Sequence, residues 1–144
     1  MPNYSPNYKA KKFILILRLI ASVILLQTLF FKFSAAPESV FIFRSLAIEP
    51  WGRWLAGMSE LVASILLIVP ATQILGATIA IGVMIGALIS HLFILGIVVQ
   101  NDGGLLFGLA LTVLACCTVI LFLCRNEIPL WMNRFQSLIK LSKK

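Results

Sequence analysis

Four apolar runs, each about long enough to cross a lipid bilayer and separated by short polar or proline-bearing stretches, limit the folds open to this chain more than any other feature. A helix needs about 20 predominantly apolar residues to span the hydrocarbon core. Within that core only helices and closed barrels satisfy every backbone polar group. Spans are predicted over about 13–31, 54–69, 74–99 and 105–124. The fold class is therefore all-α: an integral membrane four-helix bundle with interfacial segments. Composition agrees, since 60% of the 144 residues are hydrophobic and only 12% are charged, which lies outside the soluble globular range.

The breaks organise the rest of the chain. Residues 1–12 form a polar N-terminal tail ending in Lys9, Lys11 and Lys12, expected to be mobile and cytoplasmic. Basic residues, an apolar run and Ser34-Ala35-Ala36 imitate a cleavable signal peptide. The run exceeds the roughly 7 to 15 residues of a signal core, however, and it contains Arg18. Pro37 follows the apparent cleavage site, so a retained helix is the reading. Glu38 to Ile48, bounded by Pro37 and Pro50, fits an interfacial helix or an irregular lid better than another span. Pro70 stops the second span, and Ala71 to Gln73 leave only a tight turn, which makes spans two and three an antiparallel hairpin. Gln100 to Gly104 form a polar turn. The membrane domain runs over 13–129, and 130–144 is a basic amphipathic tail with Trp131, Phe135 and Leu138 at helical spacing, expected on the membrane surface.

The net charge of +7 raises nucleic acid as a partner, but the basic residues flank apolar runs and show no nucleic-acid-binding spacing. The partner they indicate is the lipid bilayer, with no nucleic acid. The two tails together carry eight Lys and Arg, against three in the first loop: Lys32, Arg44 and Arg53. An even number of spans and the positive-inside rule then place both termini in the cytoplasm.

Ionisable residues inside a span cost roughly 2.5 to 3.5 kcal/mol on insertion scales, so each needs a reason. Arg18, Glu60 and His91 are the clear cases, with Lys32 at the end of the first span. At 100° per residue Arg18, Ala21, Ser22, Leu25 and Lys32 share one face, while Gln27 falls opposite. Gly57, Glu60 and Ser64 share a face of the second span. The third carries Gly82, Gly86 and Ser90 on one side and Gly76, Ala80, Ala87 and His91 on another, as expected if it packs on two neighbours. Glu60 sits roughly 9 Å inward from Trp54 and His91 about 12 Å inward from Val99, both within the level Lys32 reaches.

These positions predict that Lys32, Glu60 and His91, with Asn101 and Asp102 above them, line a polar pocket opening toward the outer face. Such a set binds a quinone carbonyl and carries protons, or holds a small anionic substrate. The competing reading is structural: Lys32 snorkels outward, Glu60 pairs with it for packing, and His91 bonds a carbonyl across helices. Arg18, near the cytoplasmic end, is expected to snorkel to phosphates. Cys116, Cys117 and Cys124 fall in the last span with no CxxC pair, so neither a disulfide framework nor a metal site is expected. There is no nucleotide-binding glycine motif, phosphate loop or nucleophile elbow, and the single histidine lacks the histidine partner haem would need.

At these residues the chain resembles the DoxX family of small four-helix bacterial membrane proteins. The resemblance rests on Arg18 early in the first span, Lys32 in Phe30-Phe31-Lys32-Phe33, the GxxE of Gly57-Met58-Ser59-Glu60, and Met84 to Leu92 with His91. It covers about Phe13 to Pro129. The family pattern usually has Gly three residues before the Lys, where this chain has Leu29. The resemblance implies a bacterial inner-membrane subunit linked to quinone or other redox chemistry, with a membrane or periplasmic redox partner. Two alternatives stay open: a non-enzymatic accessory or assembly factor for a partner complex, and a small-solute transporter working as a homodimer.

Overall fold

The computed structural model describes residues 8–125, and all regular structure among them is helical. Helix α1 spans Tyr8–Phe33, α2 Pro37–Ser45, α3 Trp51–Ile68, α4 Gln73–Ser90 and α5 Leu105–Leu123. A π-helical turn, His91–Leu95, continues α4. Four helical stretches are long and apolar enough to cross a membrane: Ala10–Phe33, Trp51–Ile68, Gln73–Leu95 and Leu105–Leu123. The surface-helix reading of 130–144 lies outside the described residues.

Several boundaries depart from the predicted ones. Helix α1 begins at Tyr8 and runs through the lysines expected in the tail, because Lys is a good helix former and nothing in Tyr8-Lys9-Ala10 breaks the turn. Helix α3 begins at Trp51, directly after Pro50. The third span ends its helix at Leu95 rather than Val99, where Gly96 takes φ +82° and its N–H returns to the His91 carbonyl at 2.8 Å. Glu38 to Ile48 holds the short helix α2, which starts at Pro37; proline suits a first helical turn because its missing N–H would find no partner there.

The four long helices alternate in direction and close a ring in which α1 meets α3, α3 meets α4, α4 meets α5 and α5 meets α1. The C-terminal end of α1, the start of α3, the end of α4 and the start of α5 meet at what we call the loop end; Tyr8, the 69–72 turn and Arg125 mark the terminal end. The core is built from small and aliphatic side chains, with Ala21, Ala63, Ala77 and Ala80 fully buried beside Leu67, Val113, Cys117 and Ile120. Small residues at helix contacts allow the close approach of backbones on which packing depends where lipid supplies no hydrophobic drive. Phe30, Leu55, Phe93 and Phe122 face outward, so the long helices present an apolar outer surface.

Helices α3 and α4 touch closely at their turn, and toward the loop end residues of both border a cavity. A Cβ at Gly76 would lie 2.7 Å from the Leu67 amide nitrogen and 2.9 Å from the Ala63 carbonyl oxygen. At Gly82 and Gly86 a Cβ would meet nothing within 4 Å. The Gly82-Gly86-Ser90 stripe, expected to pack on a neighbour, is therefore left open. Gly76→Ala is expected to destabilise the bundle by about 1–3 kcal/mol through overpacking against backbone. Gly82→Ala should be neutral or stabilising by up to about 1 kcal/mol from helix propensity. Thermal unfolding in detergent micelles reads the difference; equal shifts in both variants would mean that α3 and α4 do not converge at Gly76.

Antiparallel packing also explains the two buried arginines. Each Cα–Cβ bond tilts toward the N-terminus of its own helix, so long side chains on α1 lean toward the terminal end and those on α3 toward the loop end. Arg18 thus reaches the C-terminus of α3, where its Nε donates to the Leu67 carbonyl at 2.5 Å and its Nη2 to that of Ile68. Arg53 does the reverse: it donates to the Lys32 carbonyl at the end of α1 and to Glu49 Oε1 at 2.9 Å. Each guanidinium satisfies carbonyls that lack a helical partner and opposes the negative end of the helix dipole. Arg18 is buried, and its guanidinium is held by these carbonyls rather than reaching outward as a snorkelling cation would.

Candidate functional site

The loop end of the bundle encloses a cavity of about 630 Å³, covered by α2 and walled by all four long helices. Lys32, Glu60, His91 and Asp102 border it, set among apolar side chains such as Leu25, Phe43, Met84 and Leu106. Residues from four separate segments of the sequence are thereby brought to one space. Asn101 is not among them; it is exposed in the turn at φ +60°, a left-handed position that Asn tolerates better than most residues.

Lys32 Nζ lies 2.9 Å from Glu60 Oε2, and the carboxylate is buried at 3% exposure. The opposite tilts of side chains on α1 and α3 bring them together: Lys32 leans back into the bundle and Glu60 leans up toward the loop end. Lys32 therefore turns inward rather than snorkelling outward. Glu60 lies about 14 Å along α3 from Trp51, deeper than predicted, because the helix begins before Trp54. The Thr28 hydroxyl, one turn before Lys32 on α1, divides its proton between Glu60 Oε2 at 3.1 Å and the Leu25 carbonyl at 2.9 Å. All the contacts fall on Oε2, which leaves Oε1 for whatever occupies the cavity.

His91 stands at the start of the π-helical turn, a local widening of the helix that recurs at functional sites. Its Nδ1 lies 2.8 Å from the Gly96 carbonyl oxygen, which can only accept, so in the neutral ring Nδ1 carries the proton and Nε2 is the acceptor. The ring sits edge-on to Phe107 at 5.7 Å between centroids. Gly96 thus closes the turn twice, through its N–H and its carbonyl, at a backbone conformation that favours glycine.

Asp102 borders the cavity, but its oxygens are engaged elsewhere. Oδ1 accepts from the Val99 and Gly104 amides at 2.8 and 2.9 Å, and Oδ2 accepts from Leu106 at 2.9 Å, across the N-terminus of α5. Burial opposes its charge, yet the N–H groups of Leu106, Val99 and Gly104 more than offset that and hold the carboxyl below the usual carboxylate range. Asp102 is a capping residue that shapes the cavity rim.

Sequence reasoning missed Thr28, Ser39 and the open Gly82-Gly86 wall. Thr28 was accessible to it, being four residues before Lys32 and so on the same face. Gln27, assigned to the opposite face, is exposed but borders the cavity where α1 meets its rim. Leu29 fits this chain because its Cδ1 would lie 3.6 Å from a Cβ on Gly57, so the glycine of α3 makes room for the bulk on α1. Cys116 and Cys117 are buried within α5 and Cys124 at its C-terminal cap, and none of the three is in a disulfide. Among the described residues no cluster of His, Cys, Asp and Glu is placed to hold a metal ion. Comparison of the chain with protein-family models, curated proteins and solved structures finds no match.

Proposed function

We propose that this chain is a bacterial inner-membrane subunit that binds a lipid-borne quinone and works with a redox partner in the membrane or periplasm. The observation that carries this reading is the cavity: largely apolar, bordered by the Lys32–Glu60 pair and His91, and edged by exposed residues of α3 and α4. Sites for small molecules are mostly apolar with a few convergent polar groups. An ammonium donor suits hydrogen bonding to a quinone carbonyl, and an imidazole acceptor suits taking the proton of the corresponding quinol hydroxyl. Electrons would come from the partner. The resemblance to the DoxX family supports the same class, and the basic tails support an orientation with both termini in the cytoplasm and the cavity toward the outer face.

One observation favours the accessory-factor alternative: Glu60 is bonded to Lys32 and Thr28, and His91 to Gly96, so each is satisfied within the fold. That reading, however, leaves the shared cavity without a purpose. Quinone titration of the purified protein in lipid nanodiscs separates the two. Glu60→Gln and His91→Ala, each at wild-type helicity, are expected to weaken binding at least about tenfold, the effect of losing roughly 1.4 kcal/mol. A folded wild type that binds no quinone would sink the reading for the isolated chain and turn the search to a protein partner by crosslinking.

A further inference from the structure

We propose that recognition of the quinone is divided between Ser39 on α2, which donates to a ring carbonyl, and the Gly82-Gly86 wall of α4, along which the ligand's hydrocarbon tail leaves the cavity between α3 and α4. This rests on the quinone reading and specifies which part of the ligand each wall receives.

Ser39 borders the cavity, is 6% exposed, and its hydroxyl has no hydrogen-bond partner. Hydroxyls such as those of Thr28, Ser64 and Ser90 turn back to a carbonyl of their own helix, and that of Ser22 reaches the Ser64 carbonyl of α3. Ser39 stands in the first turn of α2 with no complete helical turn behind it. A buried hydroxyl left unpaired is unfavourable, and alanine would fill the position without that cost. A ligand oxygen in the cavity resolves the mismatch.

Gly82 and Gly86 border the same cavity from α4 and are exposed. Unlike Gly76, they answer to no close approach of backbone, since a Cβ at either would meet nothing within 4 Å. Glycine inside a helix is unfavourable relative to alanine, so two glycines one turn apart keep this wall low against helix propensity. Leu55 of α3, also exposed, forms the facing edge. Gly82 lies about 14 Å along α4 from Gln73, near the middle of the span, so the gap opens at hydrocarbon depth, where a quinone tail resides.

The test uses two probes on the full chain in detergent: a benzoquinone bearing a decyl tail, and the same ring without the tail. Ser39→Ala is expected to weaken both about fivefold, the loss of one neutral hydrogen bond, while leaving the melting temperature of the ligand-free protein unchanged or raised. Gly86→Leu is expected to weaken the tailed probe at least about tenfold more than the tailless ring, with Gly82→Leu as a second variant on the same wall. Bilayer phospholipids share the acceptor head and hydrocarbon tail, and neither phosphatidylglycerol nor phosphatidylethanolamine is expected to compete with the probe. Competition by either assigns the site to lipid and overturns the proposal. Binding that Glu60→Gln abolishes but Ser39→Ala and the glycine variants leave intact overturns this division alone. A wild type that binds neither probe removes the quinone reading together with it.

Discussion

Lys32→Met is expected to destabilise the bundle by about 3 kcal/mol, and adding Glu60→Gln to the same chain should return it to within about 1 kcal/mol of wild type. The single change strands a carboxylate that is almost wholly buried and whose main partner is the Lys32 ammonium at 2.9 Å. Removing one member of a buried pair leaves an uncompensated charge, whereas neutralising both removes the desolvation cost along with the attraction. In the double variant the amide introduced by Glu60→Gln would keep a hydrogen bond within reach of Thr28, whose hydroxyl now lies 3.1 Å from Glu60 Oε2. Glu60→Gln alone should cost less, about 1 kcal/mol, because the flexible Lys32 stem can swing its ammonium toward the loop end. Equilibrium unfolding in mixed micelles measures the three variants. Additive, equally mild effects would show that the two side chains are not coupled.

Arg18→Leu is expected to cost about 3 kcal/mol, from the loss of charge-assisted bonds to the Leu67 and Ile68 carbonyls. Those carbonyls end α3, where no further turn supplies a donor. Arg18→Lys should recover no more than about half, since one ammonium cannot reproduce a planar fork aimed at neighbouring carbonyls. The same micelle unfolding gives the magnitude, and hydrogen exchange gives the place: faster exchange should concentrate at the end of α3 and the 69–72 turn. Faster exchange confined to the N-terminal turns of α1 would instead mean that Arg18 stabilises its own helix.

The helical character of the chain and the number of long apolar helices were legible in the apolar runs, because the requirement to satisfy every backbone group in hydrocarbon leaves so few solutions. The inward faces of α1 and α3 were legible too. Arg18, Ala21, Ser22 and Leu25 are all buried, as are Gly57, Glu60 and Ser64, since a helix period read over a few turns drifts little. The direction in which a long side chain leans was not legible from spacing alone. Arg18 and Lys32 both looked like snorkelling cations, and both turn inward. What decides this is the antiparallel neighbour, which presents free carbonyls to one and a carboxylate to the other.

Small residues show the same division. Both small-residue stripes of α4 were expected to pack on a neighbour, yet Gly76 seals the α3–α4 hairpin while Gly82 and Gly86 border an open gap. Residue order alone was enough to say where the long apolar helices lie, how many can cross a membrane, and which polar residues need a reason to lie within them, because each follows from local composition, period and the solvation of single groups. It took the packed bundle to place Lys32, Glu60 and His91 around one cavity under α2 and to leave Asn101 outside it. That outcome depends on how helices rotate, splay and lean against one another, which is set by close contacts between segments far apart in the chain.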